Sequence, residues 1–304
     1  MELDYVSPTP YNNKRRCLHD EYVTLEYHSQ YSSIPNSIDV LPMETAENTG
    51  VWVHNLAFTS MMDPWKQILK NVNFKLESGS RCVLLGGNSE EKDLFLRILA
   101  GKHMVKNGSV KVFGKDAFST GGNTVAYLNS EWLSNPLIQR DLLVGELIHH
   151  LGGDRYPDRR DLLLNVLSVS QNWHMHRISS SERLRVQIVL RLLQPWHVLL
   201  IEEESLPVEK DTLAILLKVL KWETEERGAI VIYSGTHIQD LISWSTHFAC
   251  LEGGQMVEFH DQESALNMLN RTTSWQYNSP LVRLLENDVY SQTKLNKCKR
   301  RCQT

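Results

Sequence analysis

Residues 81–94, Arg81-Cys82-Val83-Leu84-Leu85-Gly86-Gly87-Asn88-Ser89-Glu90-Glu91-Lys92-Asp93-Leu94, form the stretch of this chain that could handle a polyphosphate. An apolar run enters a turn and then a helix start, with Gly86 and Lys92 at the spacing of the phosphate-binding loop G-x-x-x-x-G-K-[ST]. Glycines in such a loop reach positive φ and let backbone amides close around phosphate. Here Glu91 stands at the second glycine position and Asp93 at the Ser/Thr position. Glu90, Glu91 and Asp93 place carboxylates where a polyanion would have to sit. One like-charge pair about 4 Å apart costs roughly 4 kcal/mol at an effective dielectric of about 20, which is about three decades of affinity. Asp93 also offers oxygen to magnesium. Elsewhere, His174-x-His176 has the look of a metal-binding pair, and Ser179-x-x-Glu182 has the spacing of a helix capping box.

The elements that position these residues follow from periodicity. Val51–Phe58 and Val72–Leu76 alternate apolar and polar residues, as half-buried strands do, and Glu77-Ser78-Gly79-Ser80 reads as a turn. Cys82–Leu85, Val198–Ile201 and Ala229–Tyr233 are continuous apolar runs, the mark of strands covered on both faces. They lead into the glycine loop, the acidic triplet Glu202-Glu203-Glu204 and Thr236-His237 respectively. Val125–Leu128 is a further strand, and Asn107-Gly108 reads as a hairpin turn. Leu94, Phe95, Ile98 and Leu99 make a helical stripe that stops at Gly101, and Leu213, Leu216, Leu217 and Leu220 make another that stops at Gly228. Residues 130–178 read as mainly helical, broken at Gly152-Gly153 and Pro157. A helix opened by Ser179 buries Val186, Val189, Leu190 and Leu193. Alternation of strands and helices predicts an α/β fold with a mostly parallel sheet.

Composition sets the boundaries. With 304 residues, 41% hydrophobic, 22% charged and a net charge of −4, the chain is an ordinary globule with no overall field to gather nucleic acid. Residues 1–48 are polar and aperiodic and are expected to be a mostly disordered extension. Residues 261–304 form a second extension ending in a basic tail with Lys294, Lys297, Lys299, Arg300 and Arg301, either a solvated tail or a contact for RNA or a nuclear address. Five scattered cysteines without a secretory leader point to a reducing, cytoplasmic or nuclear compartment, and Cys298 and Cys302 lack the second ligand pair of a zinc site. No apolar run reaches the ~18 residues of a membrane-spanning helix.

Three buried runs ending in a phosphate-loop frame, an acidic cluster and a histidine resemble the skeleton of an ABC-type ATPase domain, with Ser179 where such domains carry their LSGGQ signature. Gly79–Cys82, Leu96–Val105, Trp173–His176, Arg185–Ile188 and Glu225–Ala229 are similar to the membrane-less ABC proteins of fungi and plants. The fungal member is associated with a NOT-type transcription and deadenylation complex. The resemblance covers roughly residues 50–260. It implies a P-loop NTPase-like domain over 49–260, with an antiparallel β subdomain and a helical subdomain at about 130–187.

The resemblance also assigns roles. The nucleotide-binding stretch would be Gly86, Gly87, Asn88, Ser89, Glu90, Glu91, Lys92, Asp93 and Leu94, where the group reads G-A-N-G-A-G-K-T-T. Gly86, Asn88 and Lys92 match; Ser89 and Glu91 replace glycines, at about 1–2 kcal/mol each if the loop geometry is kept. Glu202 takes the position of a magnesium-binding aspartate, one methylene longer, and Glu203 that of the water-polarising glutamate. Glu204, Pro207 and Glu209 alter the loop beyond, and Ser130 stands near the position of a magnesium-contacting glutamine. His237 matches the γ-phosphate-sensing histidine, with one extra residue before it; a capping or packed histidine is the other reading. The signature becomes Ser179-Ser180-Ser181-Glu182, either a degenerate γ-phosphate contact or a capped helix start. Ser60 replaces the adenine-stacking aromatic, with Trp65 or Met62 as substitutes, and the group's Trp-x-Met-His segment makes packing the alternative role for His174 and His176.

Two functions follow. One is a pseudo-ATPase acting as an interaction or regulatory subunit, in a protein complex or as a homo- or hetero-dimer of ABC domains. The other is a slow ATPase using ATP, magnesium, Lys92, Glu202, Glu203 and His237. A transporter motor would need a membrane partner that the resembling group lacks.

Overall fold

A computed structural model describes residues 50–60, 63, 65–119, 124–129, 131–132, 135–202, 210–235, 241–271 and 279. Two sheets carry the architecture. The first is antiparallel, in the order β2-β1-β4-β5, from β1 (Gly50–Thr59), β2 (Gln67–Glu77), β4 (Asn107–Val112) and β5 (Lys115–Asp116). Its strands are covered on one face. Val72, Phe74 and Leu76 of β2 point inward while Asn73, Lys75 and Glu77 face solvent.

The second sheet has the order β10-β9-β3-β8-β7-β6. Its strands are β3 (Arg81–Leu85), β6 (Val125–Leu128), β7 (Val198–Glu202), β8 (Ile230–Ser234), β9 (His247–Glu252) and β10 (Gln255–Asp261). All neighbours are parallel except β9 and β10. Every residue of β3, β7 and β8 is buried, which is why these strands read as unbroken apolar runs. Helix α1 (Ser89–Leu99) lies between the sheets: Phe95 meets Phe74 edge-on at 5.5 Å, and Leu94, Ile98 and Leu99 join Val51, Leu76 and Val112 in one core.

The other helices are α2 (Val144–His150), α3 (Pro157–Val166), α4 (Ser180–Leu192), α5 (Lys210–Arg227) and α6 (Gln262–Arg271). Pro157 opens α3 at its first turn, where the missing N–H is not needed, and Gly228 closes α5 at φ 64°. Among the described residues no helix is long and apolar enough to cross a membrane.

Two expectations are corrected, and one element was not expected. Asn107-Gly108 is the start of β4, not a hairpin turn: Asn107 pairs with Ala57, and a Cβ on Gly108 would sit 2.6 Å from the Asn55 carbonyl oxygen. The turn falls at Phe113-Gly114, both at positive φ, as a tight β4–β5 connection requires. Residues 167–178 are not helical, because their backbone bonds to 142–145 across an isolated antiparallel bridge. The β9–β10 hairpin has no counterpart among the expected elements; its signals were the apolar run Phe248–Leu251 and Gly253-Gly254.

A buried ionic cluster ties the helical part to the core sheet. Glu223 of α5 is 2% exposed and pairs with Arg159 of α3 and Arg227 of its own helix. Arg159 also donates from Nε to the Leu192 carbonyl at 2.6 Å, and Arg227 to that of Trp196 at 3.2 Å. Removing one member leaves buried charge uncompensated. Glu223→Ala is therefore expected to lower the unfolding free energy by about 3–5 kcal/mol, read from urea denaturation.

Candidate functional site

The phosphate-loop frame lies at the carboxyl end of β3, between β8 and β9. Gly86 is needed there for packing alone: a Cβ would sit 2.2 Å from the Leu251 carbonyl oxygen of β9, whereas one on Gly87 would meet nothing within 4 Å. Asn88 is the N-cap of α1, so Ser89, Glu90 and Glu91 already form the first helical turn. The Asn88 side-chain oxygen accepts from the Glu90 amide at 3.0 Å, and its carbonyl accepts from the Lys92 amide at 3.5 Å. Acidic residues in this turn also suit the positive end of the helix dipole.

The three carboxylates diverge. Glu90 turns outward to Lys66 at 2.8 Å, an exposed pair of little energetic weight. Glu91 is 8% exposed and turns toward the β9–β10 hairpin. Its Oε1 accepts from the Asn88 side-chain amide at 2.9 Å and its Oε2 from the Gly254 backbone amide at 2.9 Å. The Gly254 carbonyl in turn accepts from the Lys70 amide of β2 at 2.7 Å, so this carboxylate links the first turn of α1 to both sheets. Asp93 is half-buried, and its charge acts on the Tyr127 phenol. Lys92 is buried at 4% exposure, and Leu94 belongs to the core.

A triphosphate would ask a different geometry of these residues. The cradle would need the Ser89–Glu91 stretch as an open, amide-lined turn. Here that stretch is helical, the Glu90 amide is engaged by Asn88, and the residue before Lys92 is a buried, hydrogen-bonded carboxylate. The residues as arranged do not fit the group.

At the end of β7, a carboxylate oxygen of Glu202 accepts from the Tyr127 hydroxyl of β6. Burial first, then the bond to Glu202 and its charge, push the Tyr127 phenol far above its ordinary range, so it stays a donor. Lys102 lies 4.6 Å over the same ring. The structure thus brings Asp93 and Glu202, the two expected magnesium ligands, to bear on one phenol. Glu203, Glu204, Pro207, Glu209, His237, Ser130 and Met62 lie outside the described residues, as do both terminal extensions up to residue 49 and beyond residue 279. Ser60 accepts no aromatic role, and Trp65 is 94% exposed beside Lys66.

The signature segment is a capped helix start. The Ser179 hydroxyl accepts from the Glu182 amide at 3.2 Å, and the Glu182 carboxylate accepts from the Ser179 amide at 2.8 Å. Ser180, exposed, and Ser181, half-buried, are first-turn residues of α4. The sequence missed the partner of Glu91, because the hairpin that supplies Gly254 was not recognised; Gly253-Gly254 after an apolar run was the available signal.

No family model matches the chain. CCR4-associated factor 16 of Saccharomyces cerevisiae is 33% identical over 210 residues, 64% of this chain and 72% of that protein. ABC transporter I family members 20 and 21 of Arabidopsis thaliana are 36% and 33% identical, over 69% and 76% of this chain and 69% and 87% of theirs. Among solved structures, the ATP-binding subunit of an ABC transporter aligns with a TM-score of 0.65 at 17% identity, covering 79% of this chain and 100% of its own. A dimeric bacterial ABC transporter cassette aligns at 0.59 and 18% identity, covering 70% and 98%. At those identities the structures show the fold alone, the α/β fold of ABC-transporter ATP-binding subunits.

The two capped turns have measurable consequences. Glu91→Ala leaves the buried Gly254 amide unpaired and is expected to cost about 1–3 kcal/mol in urea unfolding, with Glu91→Gln, which keeps an acceptor, costing less. Ser179→Ala is expected to cost about 1 kcal/mol. The backbone bond from Ser179, then its hydroxyl, holds the Glu182 carboxyl below its ordinary value of 4.5. Its contribution is present above that value and lost as pH falls through the lower folded value. The stability gap between wild type and Glu182→Ala should therefore narrow below pH 4.5.

Proposed function

This chain belongs to the ABC ATPase domain family, and from that we propose that it works as an interaction or regulatory subunit whose nucleotide site no longer turns over ATP. The observation that carries the reading is the Asn88–Glu91–Gly254 arrangement: the chain's own carboxylate is fixed in the turn where the family binds phosphate. The similarity to a yeast protein named as a CCR4-associated factor supports a place in a gene-regulation complex of the NOT type, in the cytoplasm, the nucleus or both. The dimeric cassette among the structural neighbours supports a pair of ABC domains, either two copies or this chain with an intact relative. The division into an extension over 1–48, a domain over 49–260 with a helical part at about 130–187, and a basic extension over 261–304 belongs to the same proposal. So does weak contact of that tail with nucleic acid.

A second reading has one observation in its favour. Asp93 and Glu202 both act on the Tyr127 phenol and Lys92 keeps the position of the phosphate-loop lysine, so a slow ATPase using them with Glu203 and His237 is the competing function. A neighbouring structure, an ATP-binding cassette bound to ADP and phosphate, supports ATP as the ligand in that case, with magnesium as the ion it would bring.

Isothermal titration with Mg·ATP separates the two. The regulatory reading expects no binding heat up to about 1 mM. Micromolar binding with phosphate release, both abolished in Lys92→Ala, would overturn it and establish the ATPase.

A further inference from the structure

The segments Asp141–Gly145 and Gln171–His176 are locked side by side. The Val144 amide donates to the Trp173 carbonyl at 2.9 Å, Gly145 to Gln171 at 2.8 Å and Met175 to Leu142 at 2.9 Å, around an antiparallel bridge between Leu143 and His174. Past the bridge the chain turns: the Arg177 amide donates to the His174 carbonyl at 2.9 Å, with Met175 and His176 as the turn's central residues. Met175 is fully buried, and its carbonyl accepts from Arg183 Nε of α4 at 2.9 Å. His174, half-buried, and His176, exposed, both lie against the Asp141 carboxylate.

One Asp141 oxygen lies 2.6 Å from His174 Nδ1 and 3.1 Å from His176 Nδ1, and the donor atoms of all three residues lie within 4.8 Å of one another. No other such group of three metal-ligating side chains occurs among the described residues. Zinc held at about 2.0–2.2 Å by such donors sets them roughly 3.4 Å apart in a tetrahedron. The two Asp141–imidazole spacings, 2.6 and 3.1 Å, need to open by about 0.8 and 0.3 Å at side chains that reach solvent.

We propose that Asp141, His174 and His176 form a binding site for a divalent transition metal ion, zinc foremost. Two imidazoles and one carboxylate suit zinc and its first-row neighbours, not magnesium or calcium, which take oxygen. Three protein ligands leave a fourth position for water or for a donor from a bound partner. One local group opposes the ion: Arg177 Nε donates to His176 Nε2 at 3.1 Å, which puts that ring's proton on Nδ1. Metal binding at Nδ1 moves the proton to Nε2 and turns the exposed Arg177 away. The backbone lock does not change, because Met175, not the histidines, carries the packing. This site is remote in sequence from the phosphate-loop frame and stands whether or not ATP binds.

The test uses the full chain in a Cys17→Ser/Cys298→Ser/Cys302→Ser background, so that thiols outside the described residues do not compete. Zinc chloride is titrated against a chromogenic chelator, and cobalt(II) uptake is followed by its visible absorption. One zinc per chain is expected at micromolar affinity or tighter, with a raised unfolding midpoint when zinc is present. Asp141→Asn, His174→Ala and His176→Ala should each weaken binding roughly 10-fold or more while the metal-free unfolding midpoint changes little. His149→Ala/His150→Ala, which removes a different exposed pair, should leave it unchanged. Uptake that survives the combined Asp141→Asn/His174→Ala/His176→Ala substitution, or no uptake below about 100 μM free zinc, overturns the proposal.

Discussion

A helix whose N-terminus faces the carboxyl end of a buried parallel strand is a site waiting for negative charge. In this chain the charge is supplied from within. Glu91 sits in the first turn of α1, buried, with one oxygen on the Asn88 side chain and the other on the Gly254 amide. A buried carboxylate is costly unless its lone pairs are satisfied. Satisfying them here required a second element, the β9–β10 hairpin, to bring a backbone N–H to the helix. The Gly254 peptide then serves both directions, donating to Glu91 and accepting from Lys70 of β2. A Cβ at Gly254 would lie 2.2 Å from the Ile68 carbonyl oxygen, so this junction of helix, hairpin and antiparallel sheet closes only around a glycine.

The same geometry changes how the acidic residues of the turn are understood. Counted along the sequence, Glu90, Glu91 and Asp93 are one repulsive patch. In space they have three separate jobs: Glu90 pairs with Lys66 at the surface, Glu91 staples the sheets, and Asp93 acts on the phenol that Glu202 also binds. An incoming triphosphate is therefore opposed less by summed charge than by occupation. The turn is already helical and its Glu90 amide already bonded.

How much of this was legible in the sequence depends on how far apart the interacting residues lie. The core strands were readable because burial on both faces writes itself as an unbroken apolar run, as in Val198–Ile201. The Ser179–Glu182 capping box was readable because both partners lie within one turn. The Glu91–Gly254 bond joins residues 163 positions apart, and no local pattern encodes it. Asn107-Gly108 misled for a related reason: glycine marks positive φ or close approach, and only the neighbouring strand decides which. The stretch after α3 looked helical because its apolar spacing allowed it, but tertiary pairing with residues 142–145 took its backbone groups instead.

Loss of a ligand destabilises a domain only where the ligand was part of its packing. Here the groups that hold the elements together lie elsewhere. The α3–α5 cluster of Arg159, Glu223 and Arg227 fixes the helical part from inside, and Arg81, bonded to the Trp244 carbonyl at 2.6 Å and to Thr224 at 2.8 Å, pins β3 to α5 at the end of the strand opposite Gly86. Phe74 and Phe95 join the two sheets through α1 without any residue of the turn. At the one place where a phosphate could have contributed, Glu91 makes the connection by itself. A fold supported in this way does not draw its packing from a bound nucleotide, which accords with the proposed role as an interaction module.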